Sequence, residues 1–191
     1  MEKIKIIKDV ISSSNAKLII DYIDDNLSVF THDHSEKRFH QMFGIDLYHG
    51  SMCKPFIDDL DGIDDLIKDQ IEVIKDKIYV AFKEKDLLFL SSIWFAKQLP
   101  GGEVTYHIDR DDDESNSHFE YSAILYLNDI DKGGVLDFPN LDISIKPKFG
   151  DLIVFLSDGE DMLHGVKVIG EDRYTVPMWF TKDPSFEVPF I

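Results

Sequence analysis

Cysteine is almost absent from this chain: Cys53 stands alone among 191 residues. A single thiol excludes an intramolecular disulfide and a thiolate metal cluster, and it suits a reducing compartment, so a cytoplasmic address is the expectation. Long apolar runs are missing as well. No window approaches the ~18 consecutive apolar residues of a transmembrane helix, and the N-terminal MEKIKIIKDV lacks the apolar core and cleavage site of a secretion signal. Basic residues are scarce, with 20 Lys+Arg against 37 Asp+Glu and a formal net charge of −17. Such a balance repels phosphate backbones and anionic lipid surfaces, so neither a nucleic acid nor a membrane is an expected partner. No G-x-S-x-G elbow, G-x-x-x-x-G-K-[ST] loop or dinucleotide fingerprint occurs. Hydrolase, kinase and dehydrogenase chemistry lose their usual signatures, and Cys53 has no evident base partner as a nucleophile.

What is present is a globular composition, 43% hydrophobic, 12% aromatic and 30% charged, at a length that suits one domain over residues 1–191. Residues 1–8 read as a strand. Ser12 to Asn15 offer capping side chains before Ala16, Ile19, Ile20, Ile23 and Leu27, whose spacing predicts a first helix. A second helix is expected between Phe56 and Ile78, where Ile63, Leu66, Ile67, Ile71, Ile74 and Ile78 keep helical spacing. The segment Ser28 to Met52 supports no assignment, and its His32, His34 and His40 have no partner carboxylate at a defined spacing.

After residue 80 short aromatic and β-branched runs alternate with turn signals. They predict strands near 87–98, 104–109, 119–127, 134–138, 142–146, 151–156, 163–169 and 173–181, with Pro100-Gly101-Gly102 as the first break. The fold class expected is therefore mainly β with supporting α. A jelly-roll or barrel would form from residues 81–191, with residues 1–80 supplying helices packed on the outer face of its sheet.

His107-Ile108-Asp109 ends one predicted strand, and a period of two places imidazole and carboxylate on one face. Two ligands alone prove little. A second histidine with open coordination positions would suit Fe(II), and His164 begins another predicted strand that a closed barrel can bring close. Arg173 follows nine residues later as a cation able to grip a carboxylate, with Thr175, Pro177 and Trp179 on its strand face. Two rival patterns exist. His118-Phe119-Glu120 is another His-x-Glu pair, but it shares a predicted strand with Tyr126. Asp109, Asp111, Asp113 and Glu120 echo a calcium loop, yet Glu114 occupies the position that needs glycine.

In order, His107-x-Asp109, Tyr126-Leu127-Asn128, Gly133-Gly134, Phe138-Pro139, Pro147-Lys148-x-Gly150-Asp151, His164 and Arg173 resemble the iron(II)- and 2-oxoglutarate-dependent dioxygenases, specifically their prolyl-4-hydroxylase-like branch. The resemblance covers about Leu87 to Phe180. It implies a double-stranded β-helix, a cupin-like jelly-roll whose N-terminal helices buttress the major sheet. It further implies that His107, Asp109 and His164 ligate Fe(II). Arg173, helped by Tyr126 and Thr175, would bind the far carboxylate of 2-oxoglutarate, and Trp179 would form part of the pocket wall. O2 would be the oxidant, with ascorbate as a supporting reductant. Many relatives carry a tyrosine near the turn before the first ligand, whereas this chain reads Gln98-Leu99-Pro100-Gly101, so that contact is expected to be missing.

The activity so implied is hydroxylation of an unactivated C–H bond with release of succinate and CO2. The carboxylate at Asp109 favours hydroxylation over halogenation. A prolyl residue of a protein or peptide is the leading substrate, with a free amino acid or other small molecule next. Readings from other classes are a non-catalytic jelly-roll that binds a metal or anion, and a cupin-like enzyme that uses the metal without 2-oxoglutarate.

Overall fold

The computed structural model of the protein describes residues 3–27, 32–33, 39–49, 62–110 and 116–188. In chain order the elements are β1 (Ile4–Ile7), α1 (Ser13–Asp25), β2 (His32–Asp33), β3 (Phe39–His49), α2 (Asp64–Phe82), β4 (Phe89–His107), β5 (Tyr121–Tyr126), β6 (Leu136–Phe138), β7 (Ile143–Ile145), β8 (Leu152–Leu156), β9 (His164–Val166) and β10 (Arg173–Thr181). Among the described residues no helix is long and apolar enough to cross a membrane.

Local chemistry explains the helix ends. Ser12 caps α1, its hydroxyl accepting from the Asn15 N–H at 3.2 Å. Asp64 and Asp65 occupy the first turn of α2, where the helix dipole favours carboxylates. Helix α2 starts later and runs one turn further than its apolar spacing predicts, ending at Phe82 with Lys83 in the left-handed region. The expected stretch from Phe56 to 61 lies outside the described residues.

All strand pairs are antiparallel, and the hydrogen-bonded order is β1-β8-β5-β10-β4-β9-β6-β7, with β3 also on β4 and β2 on β3. The sheet curls on itself because one long strand serves both of its halves. From Phe89 to Gln98, β4 pairs with β10, and at Val104 and His107 it pairs with β9. The predicted strands 87–98 and 104–109 are thus one element. Pro100-Gly101-Gly102 bends it without reversing it: Gly101 takes φ +90°, and the Gly101 N–H and Gly102 carbonyl remain bonded to Ile169. The first eighty residues also contribute strands, since β1 pairs with β8 and β3 with β4.

Both faces of the central strands are covered. Ile19, Ile23, Ile67, Ile74 and Ile78 of the helices pack with Ala123, Leu125, Val154, Val176 and Met178 on the outer face. Residues of opposite parity, among them Tyr126, Ile153 and Phe155, face inward and join Phe138, Met162 and Val166. This is the mainly β, jelly-roll arrangement with two helices on the major sheet. Polar clamps fix the helices to it. Lys97 Nζ, on β4, reaches Asp24 of α1 at 2.8 Å, and the Tyr174 hydroxyl donates to the same carboxylate at 3.0 Å. Glu84, just after α2, accepts from Tyr121 at 2.7 Å and pairs with Lys182 at 3.0 Å. Burial alone would raise this carboxyl, but the Asp86 and Lys85 N–H groups, Tyr121 and Lys182 take it down to about 2.

Ile74 is wholly buried and Val80 is 79% exposed on the same helix. Ile74→Ala should cost about 2–5 kcal/mol in urea unfolding, whereas Val80→Ala should stay within about 0.5 kcal/mol. Glu84 stabilises the fold when its carboxyl is ionised, so its contribution is full above its usual 4.5 and fades as pH falls toward about 2. Glu84→Gln should flatten that acid limb in a pH series of melting temperatures.

Candidate metal centre and anion pocket

The β4–β9 ladder sets His107 directly opposite His164, bringing together rings that are distant in sequence. Their centroids are 4.4 Å apart. Gly165 permits this approach, because a Cβ there would lie 2.8 Å from the Val104 carbonyl oxygen. Asp109 follows just beyond the end of β4. Its segment is tied down by the Arg110 N–H donating to the Ser157 carbonyl at 3.0 Å, and by the Asn116 amide donating to the Asp109 carbonyl. Asp109 Oδ1 then lies 3.3 Å from His107 Nε2, and Oδ2 lies 3.7 Å from His164 Nε2.

Each imidazole is held through its other nitrogen. His107 Nδ1 meets the Thr105 carbonyl at 2.8 Å and His164 Nδ1 meets the Met162 carbonyl at 2.9 Å. A carbonyl can only accept, so both Nδ1 atoms carry the proton and both Nε2 atoms are left to face Asp109. Phe155 and Phe138 pack on His164 at 4.7 and 5.6 Å. Burial would raise the Asp109 carboxyl, but the His164 and His107 imidazoles and the Ser122 hydroxyl outweigh it and hold the group well below the usual carboxylate range. One ligand atom from each of the three residues lies within 4.8 Å of the others. Two imidazoles and one carboxylate, buried on one side and facing a cavity on the other, fit a divalent ion such as Fe(II) with open positions.

Arg173 lies on the wall of the same cavity, with Thr175, Trp179, Pro177 and Trp94. It is 3% exposed, and its partners are all neutral: Gln98, Tyr126 at 3.2 Å and Thr175 at 3.4 Å. Among the described residues this guanidinium has no carboxylate. Burial raises the Tyr126 hydroxyl despite the nearby Arg173 charge, so it stays protonated and can donate while accepting from Arg173. Trp179 packs edge-on against Trp94 at 5.2 Å and stacks on Phe119 at 5.7 Å, closing the apolar wall.

Of the residues expected from sequence, His107, Asp109, His164, Arg173, Thr175 and Trp179 line one cavity. Tyr126 stands behind the guanidinium, fully buried. The rival pair is elsewhere. His118 bonds Ser91 at 2.6 Å and stacks on Phe186, and Glu120 faces Arg110. The calcium-loop pattern rests on Asp111 and Asp113, which lie outside the described residues together with His34 and Cys53; His32 and His40 fall on β2 and β3. Sequence reading missed Gln98, Ser122 and Trp94. For Gln98 the available signal was a polar side chain two and four residues after Ala96 and Trp94 in a buried strand.

Residues 93–181 match the family model described as the 2OG-Fe(II) oxygenase superfamily. Human prolyl 3-hydroxylase 2 is 45% identical over 73 residues, which are 35% of this chain and 10% of that protein. Prolyl 3-hydroxylase 1 of Gallus gallus is 39% identical over 71 residues, or 34% and 10%. The chain therefore spans about a tenth of the length of the curated relatives it matches. Among solved structures, the viral collagen prolyl hydroxylase of Paramecium bursaria Chlorella virus-1, in a 2OG complex, superimposes with TM-score 0.70 at 19% identity, covering 94% of this chain and 96% of that one. A Pseudomonas putida prolyl-4-hydroxylase gives TM-score 0.69 at 19% identity, covering 96% and 94%. A Trichoplax adhaerens prolyl hydroxylase, solved with a hypoxia inducible factor peptide fragment, gives 0.65 at 18% identity, covering 96% and 86%. These likenesses establish a shared fold.

If the three side chains form a metal centre, Mn(II) should bind the protein one to one in calorimetry. Losing a supporting contact to a metal ligand commonly costs about 10–100-fold in affinity, so His164→Ala, which removes a ligand, should lose more than that.

Proposed function

We propose that this chain, whose residues 93–181 match the 2OG-Fe(II) oxygenase superfamily model, is a dioxygenase of that family that hydroxylates a prolyl residue of a protein or peptide. The observation that carries the reading is one cavity holding the His107, Asp109 and His164 donor set beside a buried arginine with only neutral partners. In this reading His107, Asp109 and His164 hold Fe(II), and Asp109 enters as the carboxylate that offsets one of the two units of metal charge. Bound iron supplies the redox chemistry, by which O2 and 2-oxoglutarate yield succinate, CO2 and a hydroxylated C–H bond.

The rest falls to the protein. Arg173 pairs with the far carboxylate of 2-oxoglutarate, and Tyr126 and Thr175 keep the guanidinium in plane. The Trp94–Trp179 wall keeps water from the cavity and offers aromatic faces to a ring such as that of proline. Substrate preference draws on the prolyl hydroxylases among the relatives and structural neighbours. The −17 charge favours a neutral or basic peptide over nucleic acid.

The test is succinate release with Fe(II), ascorbate and 2-oxoglutarate. Proline-containing peptides should stimulate it; stimulation only by free proline or other amino acids would replace the peptide reading with a small-molecule one. Cosubstrate binding with no O2 consumption would leave a binding module. Arg173→Ala should lower turnover at limiting 2-oxoglutarate by at least about a hundred-fold, because stranding a buried charge costs about 3–5 kcal/mol. Untouched activity in that variant would favour a metal enzyme that does not use 2-oxoglutarate.

A further inference from the structure

Gln98 is fully buried and sits directly opposite Arg173, the two being Cα partners across the β4–β10 ladder. Trp94 and Ala96 of the same strand line the cavity, and a period of two puts Gln98 on their face. A guanidinium carries only donors, so the amide must turn its oxygen toward it. Gln98 Oε1 indeed accepts from Arg173 Nη1. That orientation sends Nε2 the other way. Among the described residues neither Gln98 Nε2 nor Arg173 Nε has a hydrogen-bond partner. Two adjacent buried side chains therefore each keep an unspent N–H, in a protein interior where unpaired donors are costly. The Tyr126 and Thr175 hydroxyls accept from the other nitrogens of the same guanidinium. A carboxylate, which accepts only and offers about four lone-pair sites, matches the surplus.

We propose that Gln98 is a binding residue of the anion pocket: its Oε1 sets the plane of the Arg173 guanidinium, and its Nε2 donates to the carboxylate that Arg173 receives. The proposal rests on the reading that this carboxylate belongs to 2-oxoglutarate. It makes recognition of the far end of the cosubstrate the joint work of a cation and a neutral amide from neighbouring strands. Removing Gln98 then weakens ligands that carry a far carboxylate and spares those that lack one.

The experiment is calorimetric titration of the Mn(II)-loaded full chain with 2-oxoglutarate and with 2-oxopentanoate, which has the same chain length but no far carboxylate. Two variants are compared with the unaltered protein. Gln98→Met keeps the volume and removes both polar atoms; Gln98→Glu keeps an acceptor for Arg173 and replaces the donor with a negative charge. Gln98→Met should weaken 2-oxoglutarate by about ten- to a hundred-fold, the range for a hydrogen bond to a charged group, and leave 2-oxopentanoate unchanged. Gln98→Glu should weaken 2-oxoglutarate further while its thermal midpoint stays at or above that of the parent. If Gln98→Met does not fold, Gln98→Glu alone decides. Parent protein that binds no 2-oxoglutarate overturns the dioxygenase reading itself. Parent binding with undiminished affinity in the variants, or an equal loss for both ligands, overturns the role of Gln98 alone.

Discussion

Two imidazoles and a carboxylate come within 4.8 Å of one another because β4 and β9 are paired in a register that puts His107 opposite His164. In an antiparallel pair a slip of one residue turns every side chain to the other face, and here it would send one histidine out of the cavity. Three features guard the register. Gly101 lets β4 bend from one half of the sheet to the other without losing its hydrogen bonds. Gly165 lets the two backbones approach beside the histidines, and the Ser157 carbonyl catches the chain at Arg110. The long β4 strand is thus the frame on which the donor set is hung, and its first half, through Trp94 and Ala96, also lines the same cavity.

Charge in the pocket runs against charge in the whole. The chain is strongly acidic, yet the side chain placed deep beside the candidate metal centre is an arginine surrounded by an amide, a hydroxyl and a phenol. A buried guanidinium among neutral partners is incompletely compensated, and an anionic ligand is what the site lacks to become neutral. Asp109 shows the complementary case. Its carboxylate oxygens lie 3.3 and 3.7 Å from the Nε2 atoms of His107 and His164, so a cation between them would satisfy all three. One cavity is therefore prepared for a cation at one end and an anion at the other.

Much of the fold was legible in the chain. Strand spans from 119 to 181 anticipated β5 to β10 to within a few residues, because each run is short, rich in β-branched and aromatic residues and bounded by turn chemistry. Helix α1 was legible down to Ser12, a capping hydroxyl before an apolar stripe. The bend at Pro100-Gly101-Gly102 read as a chain break because proline and glycine punctuate turns and between-sheet bends alike. β3 could not be found, since its partner is the distant β4 and nothing local announces that pairing. In the site, His107 with Asp109, His164 and Arg173 stood out through residue type and order. Gln98 and Ser122 did not, because an amide and a hydroxyl acquire meaning only from the neighbour they are pressed against.

Residue chemistry and spacing by themselves determined which side chains could bind a metal and an anion, and that short antiparallel strands with helical support would carry them. Those properties are local: ligand type, periodicity and turn propensity are written within a few positions of one another. Tertiary structure decided which β4 residue faces which β9 residue, that Arg173 would be buried with neutral company, and that Gln98 would keep a donor unspent beside it. These are properties of register and burial. They arise only when strands far apart in sequence are hydrogen-bonded side by side and water is removed from between them.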